Sequence, residues 1–448
     1  MKVAFYTLGC KVNQYETQLM SERFRNAGYE IVQEDETADI YVVNTCTVTR
    51  LADRKSRQYI RRMKKKNPDC VTAVVGCYSQ ISPEEVEAIP EVDIICGVNE
   101  KGRIMEYVER FLGDRIRRNY VAGRETLREY EENELITSME SRTRAVIKIQ
   151  EGCDRFCSYC IIPYARGTVR SRNPESVLEE AKLLISQGFK EIVLAGINTA
   201  LYGTEKEFRS RYGQPNGEEP FFGIEMMIRM LNDLPGDFRI RLSSLEPTVV
   251  NTECVKRLLC YEKLCCHLHL SLQSGSDRVL KAMNRRYDRN EYLEIAEALR
   301  RADPCYGLST DIIAGFPGES EEDFEDSLDM VSRIKYCKVH VFPYSRRPGT
   351  AAAEMLGQIP AEVKKRRAAE LAKAGERSAL QFFESNRGTV RRVLFEEYDE
   401  KTREIFGYTD NYIKAYVSCS QDLRNSFADV KLESAYRDGM QGSLCRGK

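Results

Sequence analysis

Short apolar runs alternate with amphipathic segments over the first hundred residues. Val3–Leu8, Asp39–Asn44, Val71–Val75 and Val92–Ile95 have the length and the β-branched character of strands. Between them, Tyr15–Ala27 carries apolar residues at helical spacing, and Arg50–Lys66 is a long basic segment. Such alternation predicts an α/β, doubly wound parallel sheet. A second series starts at Arg144, with strands expected at Ala145–Ile149, Glu191–Leu194, Arg239–Leu242, His267–Leu272, Leu308–Ala314 and Lys338–Phe342. Helical periodicity follows near 174–187, 223–233, 249–261, 289–302, 320–334 and 361–385. Six strand–helix units predict a curved, partial (β/α)6 barrel, short of the full eight. Beyond Asn386 the runs Gly388–Glu396, Glu404–Tyr408 and Ile413–Val417 predict a small all-β module. Charge-dense residues separate the two α/β series, so the expected divisions are 1–113, a linker over 114–142, 143–386 and 387–448.

Composition narrows the class. With 448 residues, 42% hydrophobic and 31% charged, the balance is that of a globular protein. A net charge of -1 excludes a polycation, so any nucleic-acid contact must use local basic patches. No run of eighteen apolar residues occurs and the N-terminus lacks a leader's apolar core, so no membrane span and a cytoplasmic location are expected. Sixteen cysteines are many for a reducing compartment and point toward metal or redox chemistry.

Cys153, Cys157 and Cys160 follow a predicted strand directly. Three thiolates within eight residues can wrap one face of a cuboidal iron–sulfur cluster, which normally takes four. One iron is then left open for a reactant. A zinc site would want a fourth close Cys or His, and none lies within ninety residues downstream. Cys10, Cys46 and Cys77 each follow an apolar strand, and in an open parallel sheet those strand ends share one edge. A second three-cysteine site is therefore expected there, and Cys96, which also follows a strand, is an open fourth candidate.

The C-x3-C-x2-C spacing resembles the signature of the radical S-adenosylmethionine (SAM) superfamily. The resemblance implies a 4Fe–4S cluster whose open iron binds SAM and, on one-electron reduction, yields a carbon-centred radical. It also implies SAM contacts from Tyr159, from Gly196 and Asn198 after the second strand, and from Gln273 at a strand-to-helix turn. Over nearly the whole chain the sequence further resembles the methylthiotransferase family, through Gly9-Cys10, Asn44-Thr45-Cys46 and Gly76-Cys77. That resemblance selects Cys10, Cys46 and Cys77 as ligands of an auxiliary 4Fe–4S cluster that carries sulfur, and leaves Cys96 as a core thiol. It implies a TRAM-like, RNA-associated C-terminal module, and an electron donor such as flavodoxin or ferredoxin.

The text Leu8-Gly9-Cys10-Lys11-Val12-Asn13-Gln14-Tyr15-Glu16 is similar to the subgroup acting on N6-threonylcarbamoyladenosine at position 37, in the anticodon loop of tRNA. Methylthiolation at adenine C2 is the implied reaction. The isopentenyladenosine subgroup is the alternative within the family, and a non-catalytic RNA-binding protein with one structural metal is the alternative outside it. Arg166, Arg170 and Arg172 beside the radical triplet, and Arg61 and Arg62 in the basic segment, are the expected RNA contacts. Residues 388–448 hold ten Lys/Arg and ten Asp/Glu, so RNA contact there would need local patches or aromatic stacking on Tyr408 or Tyr412. No general base is expected among His267, His269 and His340; the first two are expected to alternate on a strand, with at most one facing the barrel.

Overall fold

The computed structural model describes residues 1–128, 130, 135–137, 143–213, 221–419 and 421–445. Part of the expected linker (129, 131–134 and 138–142) lies outside them.

Strands β1 (Lys2–Thr7), β2 (Glu30–Val32), β3 (Ile40–Thr45), β4 (Val71–Gly76), β5 (Ile94–Ile95) and β6 (Arg118–Asn119) form one parallel sheet in the order β2-β1-β3-β4-β5-β6. Every residue of β3 and β4 is buried, as continuous apolar runs covered on both faces require. Helix α1 (Lys11–Asn26) packs on one face with the helix Ile104–Asp114, around Val3, Phe24, Val42, Val75 and Val108. Helix α2 (Arg50–Lys66) covers the other, with Ile60 and Met63 against Val43 and Val74. Its first turn is capped by the Thr49 hydroxyl, which accepts from the Ala52 amide. The short helix α3 (Cys77–Ile81) leaves β4 directly.

The central unit is a partial barrel. Strands β7 (Arg144–Lys148), β10 (Glu191–Ala195) and β11 (Arg239–Leu242) pair in parallel, as do β12 (Ser244–Leu245), β13 (His267–Leu270), β14 (Gly307–Ala314) and β15 (Lys338–Pro343). A parallel bridge between Ile240 and Leu264 joins the two groups. A small antiparallel pair, β8 (Gln150–Glu151) with β9 (Arg170–Ser171), brackets the cysteine loop. No ladder joins β7 to β15 among the described residues. The α1 helix covers that side: Tyr15 and Leu19 pack with Ile136 and Val146.

The C-terminal module is a closed barrel of β16 (Val390–Asp399), β17 (Glu404–Thr409), β18 (Lys414–Ser418), β20 (Gly439–Leu444) and β19 (Phe427–Tyr436). Its β17–β18 turn plugs the floor of the partial barrel. There Arg239 and Arg241 donate to the Tyr408 and Thr409 carbonyls, both at 3.1 Å, and Asn411 donates to the Cys305 carbonyl at 2.8 Å. Tyr412 stacks on His267 (4.4 Å between centroids) and on Tyr408. These tyrosines serve the internal joint, which corrects the expectation that they stack on RNA.

Gly152 is the residue on which the cysteine loop turns. Its φ is +71°, and a Cβ there would lie 1.7 Å from the Thr168 carbonyl oxygen. Gly152→Ala is expected to cost on the order of 2–4 kcal/mol, through strain and displacement of the 167–168 backbone. Thermal unfolding of the apo-chain checks this, and an unchanged midpoint would contradict it.

Candidate functional site

Cys10, Cys46 and Cys77 stand at the C-terminal ends of β1, β3 and β4, which are consecutive neighbours in the sheet. The chain approaches itself tightly here. Gly9 has φ +109°, and a Cβ on it would lie 2.7 Å from Cys46 Cβ and 3.0 Å from Cys46 Sγ. Burial, with Cys77 and Cys10 as neighbours, pushes the Cys46 thiol up to about 12, and burial raises Cys77 as well. Cys96 differs. Its side chain is fully buried among Val75, Ile94 and Tyr107, in the core beneath α1.

A buried arginine ties this edge to the central unit. Arg166 has no exposed surface. Its Nε donates to Cys77 Sγ at 3.2 Å; its Nη1 reaches Glu16 (2.8 Å) and Glu151 (2.6 Å); its Nη2 reaches Asn13 Oδ1 (2.6 Å). Asn13 in turn donates to the Leu8 and Thr45 carbonyls, at 2.7 and 2.9 Å, beside Cys10 and Cys46. Lys148 bridges Glu16 and Glu151 at 3.3 and 3.0 Å, and Lys101 pairs with Glu16. Burial alone would raise the Glu16 carboxyl, but Arg166, Lys101 and Lys148 hold it well below the usual carboxylate range. Burial opposes ionisation of Glu151 too, and Lys148 and Arg166 bring it to about 2. Arg347, paired with Asp53 at 2.5 Å and with Thr47, forms a second joint next to Cys46.

Cys153, Cys157 and Cys160 lie on the loop after β8. The Cys153 amide donates to the Gly167 carbonyl (3.0 Å) and the Cys160 amide to that of Cys157 (2.9 Å). Asn284 Nδ2 donates to the Arg155 and Phe156 carbonyls, which holds Phe156 at a left-handed φ of 47°. Arg285 Nη1 donates to Cys157 Sγ at 3.3 Å. Burial pushes Cys153 and Cys160 up to about 12. Thiols so placed resist ionising alone and are held as thiolates by a bound cation.

Of the expected SAM contacts, Tyr159 and Gln273 line one cavity of about 240 Å³, together with Cys160, Asp311, Ile313 and Phe342. Gln273 adopts φ +65° and is pinned by backbone bonds to Asp311 and Ile313. Gly196 and Asn198 lie at the other flank. A Cβ at Gly196 would meet Gln150 Oε1 at 2.8 Å. Asn198 Nδ2 donates to Glu246 Oε2 at 2.9 Å, and the same oxygen takes Arg155 at 2.8 Å. Asn198 Oδ1 is buried without a partner among the described residues. Glu246, Arg285, Glu16 and Arg347 carry no local sequence signal, because each acquires its role only through partners far along the chain.

Two expectations are corrected. Arg166, Arg170 and Arg172 are buried, at 0%, 2% and 2% exposure, so RNA does not reach them. Arg170 sits 3.7 Å from Glu151 and Arg172 pairs with Glu180. Both His267 and His269 face inward: Nε2 of the first and Nδ1 of the second meet Ser309 Oγ at 2.9 and 3.0 Å. Residues two apart on a strand share a face.

The fit to metal clusters rests on this geometry. Two cysteine triplets each carry a guanidinium N–H on one sulfur, and the Gly9 approach leaves a cradle that a Cβ would fill. Among the described residues, no group of three His, Cys, Asp or Glu side chains is placed to hold a single metal ion. Thiolates on a cuboidal cluster bind separate irons and stand farther apart.

A partial barrel with a three-cysteine loop after its first strand defines the class, a radical SAM enzyme. Residues 147–331 match the model of the radical SAM superfamily, and residues 2–97 that of an uncharacterised protein family, UPF0004. A radical SAM methyltransferase from Kitasatospora setae, TsrM, superposes with a TM-score of 0.55 at 13% identity, over 79% of this chain and 77% of that one, a likeness of fold. The threonylcarbamoyladenosine tRNA methylthiotransferase MtaB of Bacillus subtilis is 40% identical over 99% of this chain and 96% of its own length. A tRNA-2-methylthio-N(6)-dimethylallyladenosine synthase of Clostridium novyi is 37% identical over 82% and 79%. The chain belongs to the radical SAM methylthiotransferase family, and SAM with a 4Fe–4S cluster belongs to its chemistry.

Arg166→Met leaves Glu16 and Glu151 buried with less than their share of positive charge. A loss of about 3–5 kcal/mol in urea unfolding is expected, and a loss below about 1 kcal/mol would contradict the role given to this residue.

Proposed function

We propose that this chain inserts a methylthio group at C2 of N6-threonylcarbamoyladenosine in tRNA, with Cys153, Cys157 and Cys160 on the radical-generating cluster and Cys10, Cys46 and Cys77 on an auxiliary, sulfur-carrying one. The observation that carries the reading is the convergence of Cys10, Cys46 and Cys77 at one sheet edge, tied through Arg166 to the unit bearing the other triplet. When bound, SAM and the clusters supply a radical able to act on an inert aromatic C–H bond, and the sulfur that replaces its hydrogen.

The chain's residues supply the rest. Arg166 and Arg285 place cationic donors on cluster sulfurs, where a net negative charge accumulates. Tyr159 and Gln273 wall the cavity beside Cys160 and exclude water from it. Asn198 and Glu246 offer polar groups to the amino-acid end of SAM. An electron donor such as flavodoxin or ferredoxin supplies the reducing equivalent. Threonylcarbamoyladenosine is favoured over the dimethylallyl nucleoside by the full-length match to the Bacillus subtilis enzyme and by the text Lys11-Val12-Asn13. A splayed base of a single-stranded loop is the form of substrate this site can admit at small cost.

Digestion of tRNA from a strain lacking the gene tests the reaction. Loss of the 2-methylthio form of threonylcarbamoyladenosine, with its unmodified form accumulating, is expected. Loss of the methylthio group from the isopentenyl nucleoside instead would overturn the substrate assignment.

The exposed Arg61 and Arg62 remain as phosphate contacts, on the solvent face of α2. Arg61→Gln with Arg62→Gln is expected to weaken tRNA binding and to lower the slope of log K against log salt by about 1–2. An unchanged slope would remove α2 from the interface.

A further inference from the structure

The interior of the partial barrel is polar and open. Leu268, Leu270, Leu308 and Ile312 point outward into the helix-covered core, so His267, His269, Ser309 and Asp311 point inward. On β15, Val339 and Val341 pack against that core, and the inward row Lys338, His340, Phe342 is exposed to solvent. Tyr412 closes the floor. Into this lumen, through the side that lacks a strand pair, α1 sends Lys11. It lies within electrostatic reach of His267 and His340, with Arg241, Glu191 and Arg144 as its charged neighbours.

The charge balance there is uneven. Both oxygens of Glu191 are occupied, by Arg239 at 2.6 Å and Arg241 at 2.9 Å. Asp311 Oδ2 lies 3.2 Å from His269 Nε2 with no hydrogen bond between them. Glu396 is paired with Arg144 through Oε2 at 2.8 Å, and its Oε1 is buried without a hydrogen-bond partner among the described residues. Lys11 has no hydrogen-bond or ion-pair partner among the described residues; it keeps contact with solvent while lying among Arg241, Glu191 and Arg144. An unpaired ammonium with cationic neighbours, walled by protein but open to solvent, is a site for an anion. Its place in the chain adds a constraint: Lys11 directly follows Cys10, so whatever it holds lies beside the auxiliary cysteines.

We propose that Lys11 binds the carboxylate of the threonylcarbamoyl substituent, and so selects the acidic nucleoside and sets its base against the auxiliary site. This rests on the threonylcarbamoyladenosine reading above. The dimethylallyl substituent has no charge and would leave the ammonium unmatched. A backbone phosphate is the other anion a lysine can take, and the two are separable.

The test uses the reconstituted holoenzyme and synthetic anticodon stem-loops carrying threonylcarbamoyladenosine, its carboxamide, or isopentenyladenosine. For the wild-type chain, kcat/KM is expected to fall about ten- to a hundredfold from carboxylate to carboxamide, the size of one charge-assisted hydrogen bond. Lys11→Gln should show a similar loss on the carboxylate, mainly in KM, and little further loss on the carboxamide; Lys11→Arg should recover part of it. Equal losses by Lys11→Gln on both stem-loops would assign Lys11 to phosphate and overturn the proposal, as would equal wild-type rates on carboxylate and carboxamide. Because this last comparison alters only the RNA, it can overturn the proposal even where Lys11→Gln loses iron, and Lys11→Arg then carries the assignment to this residue. Wild-type turnover of the isopentenyl stem-loop alone would instead refute the substrate reading itself.

Discussion

The structure turns on one buried guanidinium. Arg166 comes from the helix Ile162–Arg166, just past the radical triplet, yet three of its five partner contacts are to α1 residues and one is to Cys77. An arginine with no exposed surface is costly unless every donor is used. Here Glu16, Glu151, Asn13 and a cysteine sulfur supply the acceptors. The result is a rigid strut between two cysteine sites that sequence separates by more than seventy residues. Apolar contact adds to the strut, since Cys77 and Val98 pack with Leu127 and with Ala165 of the helix that carries Arg166.

The same logic explains why the strand-free side of the partial barrel matters. In a closed eight-unit barrel the interior fills with side chains. Here β7 and β15 do not pair among the described residues, the inward face of β15 stays exposed, and α1 covers the gap with Tyr15, Leu19 and, through Lys148, Glu16. A lumen lined by His269, Asp311 and His340 is thereby walled on one side by the sheet that carries the auxiliary cysteines. The C-terminal barrel plugs the floor through Tyr408 to Tyr412.

Much of this was legible in the sequence. The apolar runs around Val42, Val74 and Ile192 and the basic amphipathic α2 gave their elements nearly to the residue, because each has enough local periodicity to override its neighbours. The two-residue strands β5, β6, β8, β9 and β12 were hidden or blurred, since a pair of residues has no period. Strands β19 and β20 were missed because Phe427–Tyr436 alternates charge with small residues and finds its apolar partners only on closing the barrel. At the site, spacing singled out Cys153, Cys157 and Cys160, and position after strands singled out Cys10, Cys46, Cys77 and Cys96 alike; only the family resemblance separated Cys96 from the other three. The arginines misled: Arg166, Arg170 and Arg172 look like a basic patch until Glu16, Glu151 and Glu180 arrive from elsewhere in the fold. Likewise Cys96 and Cys77 both follow strands and differ in what surrounds them: Cys96 packs in the core beneath α1, whereas Cys77 meets Val98, Leu127 and Ala165, which a one-dimensional pattern does not record.

The central claim is that Cys10, Cys46 and Cys77 hold a cluster of their own. Iron per chain after anaerobic reconstitution measures it directly, in the wild type and in a chain with all three changed to alanine. About eight irons falling to about four is the predicted result for two 4Fe–4S clusters. About four in both chains would contradict it.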